Sequence, residues 1–153
     1  MVFLLVAALL LSGCAGKPAP QKPVSLQAVY AAMSEKVALP PMLEVDGELV
    51  LDFYGFEPGT YTQGILMVAE DSLIADEILL LKARDQASAD ALKELMQGRL
   101  DAKAAEAITY SPEQYAVIKE GHLVRDGLYL ALIVSPDADQ LLGIYREFIG
   151  GGG

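Results

Sequence analysis

The residues best suited to catalysis are scarce, since the chain has one cysteine, Cys14, and one histidine, His122. A catalytic triad would need His122 between a nucleophile and an acid. No CxxC, HExxH or phosphate-binding GxxxxGK[ST] motif occurs either. His122 is better explained as the exposed start of a β-strand. The sequence therefore predicts no catalytic residue and no cofactor.

Four carboxylates lie in one short acidic segment: Glu70, Asp71, Asp76 and Glu77. Carboxylate oxygens are ligands that Ca²⁺ prefers, so this segment is a candidate metal site. Its spacing matches no known calcium loop such as D-x-D-x-D-G, and a solvated acidic turn is favoured. Glycoside hydrolysis also needs two carboxylates across a cleft. With 21 acidic residues in the chain, such pairs arise by chance.

Four tyrosines are candidates for a recognition surface: Tyr54, Tyr61, Tyr110 and Tyr115. Tyr54 and Tyr61 lie in glycine-rich segments where a large side chain has no obvious helical or strand face. Exposed aromatic side chains mark recognition surfaces in many proteins. The alternative is that these rings fill the edge of a sheet.

The charge of the chain excludes one class of partner. Net charge is −10, from 11 basic and 21 acidic residues. Lys17 and Lys22 precede residue 25, which leaves 9 basic against 21 acidic side chains from there on, or −12. Because phosphate backbones repel such a surface, no nucleic-acid partner is expected.

The N-terminal segment indicates export. The first eleven residues, MVFLLVAALLL, are apolar, fewer than the roughly 20 that span a bilayer but typical of a signal peptide. Leu11-Ser12-Gly13-Cys14 resembles the lipobox of bacterial lipoproteins. The resemblance implies that Cys14 receives acyl chains and becomes the new N-terminus. The expected location is the extracytoplasmic side of a cell membrane, held there by a lipid anchor.

The chain divides into four parts by composition. We expect a signal peptide over residues 1–13, a lipidated cysteine with a Pro/Ala-rich tether over 14–24, one domain over 25–149 and a disordered glycine tail over 150–153. The extended tether would hold the domain roughly 30 Å from the bilayer.

Hydrophobic periodicity predicts the elements of the domain. The order is a helix from Ser25, an irregular segment, a hairpin, two helices, a second hairpin and a last helix. The first hairpin pairs ILMVA (65–69) with EILLLKA (77–83). The second is formed by the strands on either side of Asp126-Gly127. Leu49, Val50 and Phe53 fit either a helical turn or a short strand.

Local signals predict the ends of these elements. We expect helices to begin at Ser88, at Ser111-Pro112 with Gln114 closing a capping box, and at Ser135-Pro136. Gly121 would be a left-handed C-cap, and Asp126-Gly127 a type I′ turn.

The predicted fold class is α+β. Both hairpins read as antiparallel, which predicts a four-stranded, mainly antiparallel sheet in a two-layer sandwich with the helices on one face. Hairpin-then-helix occurs twice, at 65–100 and 122–149. The two helices share an Ala-Asp-x-Leu start, which suggests a ββα duplication about a pseudo-twofold axis.

From about Leu26 to Ile149 the chain resembles an uncharacterised family of small bacterial lipoproteins, a domain of unknown function. The residues that support the resemblance are Tyr54-Gly55, ADEILLLKARD (75–85), Tyr110-Ser111-Pro112 with Tyr115, and GLYLALIVS (127–135). The family implies an exported lipoprotein and assigns no activity.

Three functions stay open. The first is a non-enzymatic module that binds a protein or cell-envelope component. The second is a hydrolase of envelope polymers that uses a carboxylate pair in a cleft. The third is a small-ligand carrier for a membrane transporter, which would need an apolar cavity between sheet and helices. The missing catalytic motifs favour the first.

Overall fold

The structure, a computed structural model, describes residues 23–150, and ten elements follow one another there. They are α1 (Leu26–Lys36), β1 (Met42–Glu44), α2 (Glu48–Tyr54), β2 (Tyr61–Ala69), β3 (Glu77–Ala83), α3 (Gln86–Tyr110), α4 (Pro112–Lys119), β4 (His122–Asp126), β5 (Tyr129–Val134) and α5 (Ala138–Gly150). The α+β class and both hairpins are confirmed. None of the helices described is long and apolar enough to cross a membrane.

The sheet has five strands in the order β1-β2-β3-β5-β4, and every neighbouring pair is antiparallel. The prediction of four strands is therefore wrong by one. The additional strand is β1, which pairs with β2 from Met42↔Ala69 to Glu44↔Met67. Three residues after a Pro-Pro pair are too few to produce a recognisable alternating pattern.

The helices cover both faces of the sheet, so the predicted two-layer arrangement is wrong. Leu79 and Leu81 of β3 pack in the same cluster as α2, α3 and α4. Ile78 and Leu80 pack with α1 and α5 on the opposite face. Successive strand residues point to opposite faces, and all four of these side chains are fully buried. Strands that are apolar on both sides need a helical layer on each side.

The predicted pseudo-twofold duplication also fails. The central strands β3 and β5 are antiparallel neighbours. A twofold axis that exchanges two neighbouring antiparallel strands must be perpendicular to the sheet. Rotation about such an axis places the two related helices on the same face of the sheet. However, α3 packs on one face and α5 on the other, so no such axis relates β2-β3-α3 to β4-β5-α5.

The starts of two helices differ from the prediction because the side chains there form other hydrogen bonds than expected. Ser25 caps α1 as expected. The N-cap of α3 is Asp85 rather than Ser88, since the Asp85 carboxylate accepts a hydrogen bond from the Ser88 amide at 2.8 Å. Ser111 caps α4, but the Gln114 side chain accepts from the Ala75 amide instead of closing a capping box.

The glycines and the last helix bring further corrections. Gly121 does not have a positive φ, so it is no left-handed cap. The hairpin turn is formed by Gly127 (φ 64°) and Leu128, since Asp126 pairs with Tyr129. A positive φ at the first central residue alone is typical of a type II′ turn rather than type I′. Helix α5 includes Gly150, which the sequence analysis assigned to the tail.

Candidate interaction surface

A buried charge cluster joins the sheet to the second half of α3. Glu77, at the start of β3, is fully buried. Its carboxylate lies 3.1 Å from Arg99 Nε and 2.8 Å from Lys103 Nζ. Arg99 and Lys103 are four residues apart on α3, so they lie on the same side of the helix. Two basic side chains therefore pair with one buried carboxyl group, and removing either partner of such a pairing leaves an uncompensated charge.

Tyr54, the last residue of α2, lies against this cluster. The guanidinium carbon of Arg99 is 5.6 Å from the centre of the Tyr54 ring, and the ring stacks on Phe56 at 5.1 Å. Burial, and after it the negative charge of Glu77, raises the pKa of the Tyr54 hydroxyl. Tyr54 is therefore a neutral phenol that fixes the C-terminal end of α2 against the core.

Helix α2 has more apolar side chains than it can bury. Val50 and Tyr54 point into the core, which leaves Leu49, Leu51 and Phe53 on the outside, with Leu49 51% and Phe53 57% exposed. Of the eight large apolar side chains exposed within residues 23–150, four lie between residues 43 and 53. We call this set, Leu43, Leu49, Leu51 and Phe53, the β1–α2 apolar surface.

Leu43 belongs to this surface through the sheet register. It pairs with Val68, and Val68 pairs with Glu77. Directly paired residues point to the same side of a sheet, so Leu43 faces the layer that contains α2 and α3. A further exposed residue, Leu95 of α3, borders α2: its Cδ2 is 3.6 Å from the position that a Cβ on Gly55 would occupy.

Carboxylates alternate with the apolar side chains along this stretch. Four exposed acidic residues are Asp46, Glu48, Asp52 and Glu57. Glu44 pairs with Met67 and therefore faces the opposite layer, which contains α1 and α5. No lysine or arginine occurs between residues 42 and 57. At 3.6 residues per turn, Glu48 and Asp52 lie between Leu51 and the Leu49–Phe53 pair on the exposed side of α2. These carboxylates form an acidic rim beside the Leu49–Phe53 pair. Chemically this surface can bury apolar groups while attracting cations.

The four tyrosines singled out from the sequence do not form one surface. Tyr54 is only 5% exposed, so it is not part of a recognition surface and agrees with the alternative of a buried ring. Tyr61 is half-buried against the same core as Tyr54. Tyr115 of α4 is half-buried, and Tyr110, at the end of α3, is 83% exposed. The exposed aromatic ring of α2 is Phe53, which the sequence analysis did not select.

The acidic segment 70–77 does not bring its carboxylates together. Glu70 and Asp71 are exposed, and the Asp71 carboxylate accepts a hydrogen bond from the Leu73 amide at 2.9 Å. Asp76 and Glu77 are buried neighbours, and Glu77 is neutralised by its two cations. Within residues 23–150 no group of three or more His, Cys, Asp or Glu side chains could hold a metal ion.

A groove at one end of the sheet contains the pair of carboxylates most relevant to acid–base chemistry. It has a volume of about 340 Å³ and is lined by Asp76, Ser135 and Asp137 together with apolar residues that include Leu39 and Ile74. Burial raises the pKa of Asp76, and the charge of Asp137 adds to the rise, while a hydrogen bond from Ser135 opposes it. The groove lies beside the sheet end rather than between sheet and helices.

The remaining predicted residues are placed as follows. His122 begins β4, as predicted, with Nε2 2.6 Å from Asp139 Oδ1. The Asp139 side chain is almost fully exposed, so this is a surface pair. Cys14 and the rest of the lipobox motif, Leu11, Ser12 and Gly13, lie outside the described residues.

The comparisons with known proteins give a family and no activity. No curated protein and no solved structure matches the chain. A family match covers residues 35–135, which is about two thirds of the 153 residues and runs from the end of α1 to the end of β5. The chain therefore belongs to the family described as domain of unknown function DUF4358.

Proposed function

We propose that this protein is an exported, lipid-anchored bacterial lipoprotein whose α+β domain binds a protein at the cell envelope and is not an enzyme. The observation on which the binding function rests is the β1–α2 apolar surface with its acidic rim. Exposed apolar patches rimmed by polar residues mark interaction sites. The anchor rests on Leu11-Ser12-Gly13-Cys14, and two acyl chains suffice for stable membrane attachment.

The way in which α2 is held supports a role in recognition. Val50 and Tyr54 fix one side of the helix in the core, and the Glu77 cluster fixes Tyr54 in turn. Leu49 and Phe53 are therefore presented on a rigid element rather than on a loose loop. A preorganised surface loses little conformational entropy when it binds.

The test is quantitative capture from detergent-solubilised native membranes. We compare the tagged full chain with the double variant Leu49→Ser/Phe53→Ser and with Ile108→Ser, an equally exposed apolar position at the end of α3. A near-stoichiometric partner that is lost with the double variant and kept with Ile108→Ser supports the proposal. A partner kept by the double variant contradicts the assignment of this surface. For the anchor, Cys14→Ala must abolish incorporation of labelled palmitate.

A second candidate, hydrolysis of an envelope polymer, is favoured by one observation. Burial raises the pKa of Asp76, which lines the groove together with Asp137, and an acid of raised pKa beside a second carboxyl group is the arrangement that glycoside hydrolysis uses. Release of soluble fragments from purified peptidoglycan by the full chain, lost in Asp76→Asn, would establish it. Equal release by both forms, or none by either, would exclude this carboxylate pair.

A further inference from the structure

The β1–α2 apolar surface combines two properties that together specify the chemistry of its partner. It exposes four large apolar side chains, and four carboxylates with no lysine or arginine lie between residues 46 and 57 of the same stretch. We propose that this surface binds a basic amphipathic helix of a partner protein. The proposal rests on the binding function above and adds the class of partner.

The exposed apolar side chains of α2 form a ridge. Leu49 and Phe53 are one turn apart on α2, with 51% and 57% of their surfaces exposed. Residues spaced by four form a ridge along a helix, and such a ridge packs into the groove between side chains of a second helix. Recognition of an amphipathic helix uses apolar anchors at this spacing. The second turn of α2 is fixed from below by Tyr54, so the ridge is already in place before binding.

The charges beside α2 are negative. Glu48 and Asp52 lie on α2 itself, and Asp46 and Glu57 flank it in the chain. On the adjacent helix α3, Lys93 and Glu94 precede Leu95 and offset each other. The partly buried cations Arg99 and Lys103 of α3 are already paired with Glu77, and Arg84, which lies beside Gly59, is paired with Asp85. A helix that places lysines or arginines beside its apolar stripe would therefore meet complementary charge at the rim.

The same charge argues against other occupants. A second copy would bring four carboxylates against four carboxylates, and like charges that face each other across an interface disfavour association. An anionic lipid surface is repelled in the same way. A cationic helix satisfies both the apolar area and the negative rim.

The test uses the full chain in phosphatidylcholine nanodiscs, with empty nanodiscs as the reference. The probe is a helical peptide of leucine and lysine, about 18 residues long, with its leucines on one face. A scrambled peptide of the same composition removes the apolar stripe, and a leucine–glutamate peptide reverses the charge. The variants are Leu49→Ser/Phe53→Ser for the ridge and Glu48→Gln/Asp52→Asn for the rim. Leu73→Ser, at a 79% exposed position in the β2–β3 loop, is the control.

We expect micromolar binding of the leucine–lysine peptide, at least about tenfold weaker in Leu49→Ser/Phe53→Ser because exposed anchors dominate such interfaces. Binding to Glu48→Gln/Asp52→Asn should be weaker and less sensitive to salt. Leu73→Ser should bind as the unchanged protein does. Absence of binding, equal binding of the scrambled or glutamate peptide, or an equal loss in Leu73→Ser overturns the proposal.

Two further outcomes would assign the surface to another occupant and would also overturn the proposal of a basic helix. These are self-association of the chain that Leu49→Ser/Phe53→Ser abolishes, and attachment to phosphatidylglycerol vesicles that depends on the same residues. The proposed function fails separately. If the peptide does not bind while capture from native membranes still depends on Leu49 and Phe53, the binding module stands and only the partner's chemistry is wrong.

Discussion

Replacing Glu77 by glutamine tests the buried cluster that supports α2. The substitution keeps the size of the side chain and removes its charge, which leaves Arg99 and Lys103 without a compensating carboxylate. Loss of one partner from a buried ion pair costs about 3–5 kcal/mol. The side chains of Arg99 and Lys103 are 27% and 15% exposed, so both can recover some hydration. We therefore expect the lower end, about 3 kcal/mol in the free energy of unfolding.

The assay is urea unfolding followed by circular dichroism, with thermal unfolding as a second measurement. For a domain of this size, about 3 kcal/mol corresponds to a fall in Tm of roughly 10 °C. Glu147→Gln is the matched control, because Glu147 pairs with Lys36 at 3.4 Å on the surface and such pairs contribute about 0–1 kcal/mol. The triple variant Glu77→Leu/Arg99→Met/Lys103→Met should regain most of the loss, since apolar replacement of a whole buried cluster is tolerated.

If Glu77→Gln unfolds within about 0.5 kcal/mol of the unchanged protein, the cluster does not hold α3 and α2 to the sheet. The same conclusion follows if Glu147→Gln costs as much as Glu77→Gln. Either result would also remove the argument that the β1–α2 apolar surface is preorganised.

Three other predictions concern stability. Leu79→Ala and Leu80→Ala should each cost about 2–5 kcal/mol by urea unfolding, because a helical layer covers each face of the sheet; a near-neutral Leu80→Ala would mean that α1 and α5 do not cover their face. The raised pKa of Asp76 means that its contribution to stability is complete below the unfolded value of 3.8 and is lost as pH rises through the folded pKa. As pH rises from 3.5 to 7, the unfolding free energy of Asp76→Asn should therefore increase relative to that of the unchanged protein. A difference between the two proteins that is independent of pH would refute this. The pKa of Asp85 is lowered, mainly by the hydrogen bond from the Ser88 amide, so its pH dependence has the opposite sign. Asp85→Asn should lower the unfolding free energy at pH 7, and by progressively less as pH falls through the folded pKa. A loss of unfolding free energy that stays the same at low pH would contradict the assignment.

The sequence predicted the hairpins well because their signals are local. The runs 65–69 and 77–83 are long and apolar, and the turn at Gly127 has the glycine that a positive φ requires. The prediction that all helices pack on one face of the sheet was wrong for a different reason. Ile78 and Leu80 already indicated that the far face needs cover, but which helix covers which face depends on contacts between residues far apart in the chain, such as those of α1 with α5.

The candidate surface was predicted only in part. Tyr54 was selected because a large side chain in a glycine-rich segment has no obvious helical or strand face, yet its ring is buried against Arg99 and Phe56. No residue close to Tyr54 in the sequence indicates that its ring contacts Arg99 of α3, which lies forty-five residues further along the chain. One usable signal was present in ELVLDFY (48–54): a two-turn helix with five apolar residues cannot bury them all. Phe53 could have been chosen on that ground.

The most direct test of the binding function is photo-crosslinking from position 53 in native membranes. The full chain would contain a photoreactive phenylalanine analogue in place of Phe53, and a second form would contain it in place of Tyr110, which is 83% exposed at the end of α3. We expect a discrete crosslinked protein from position 53 that is absent from position 110. No crosslink at position 53, or the same products from both positions, would contradict it.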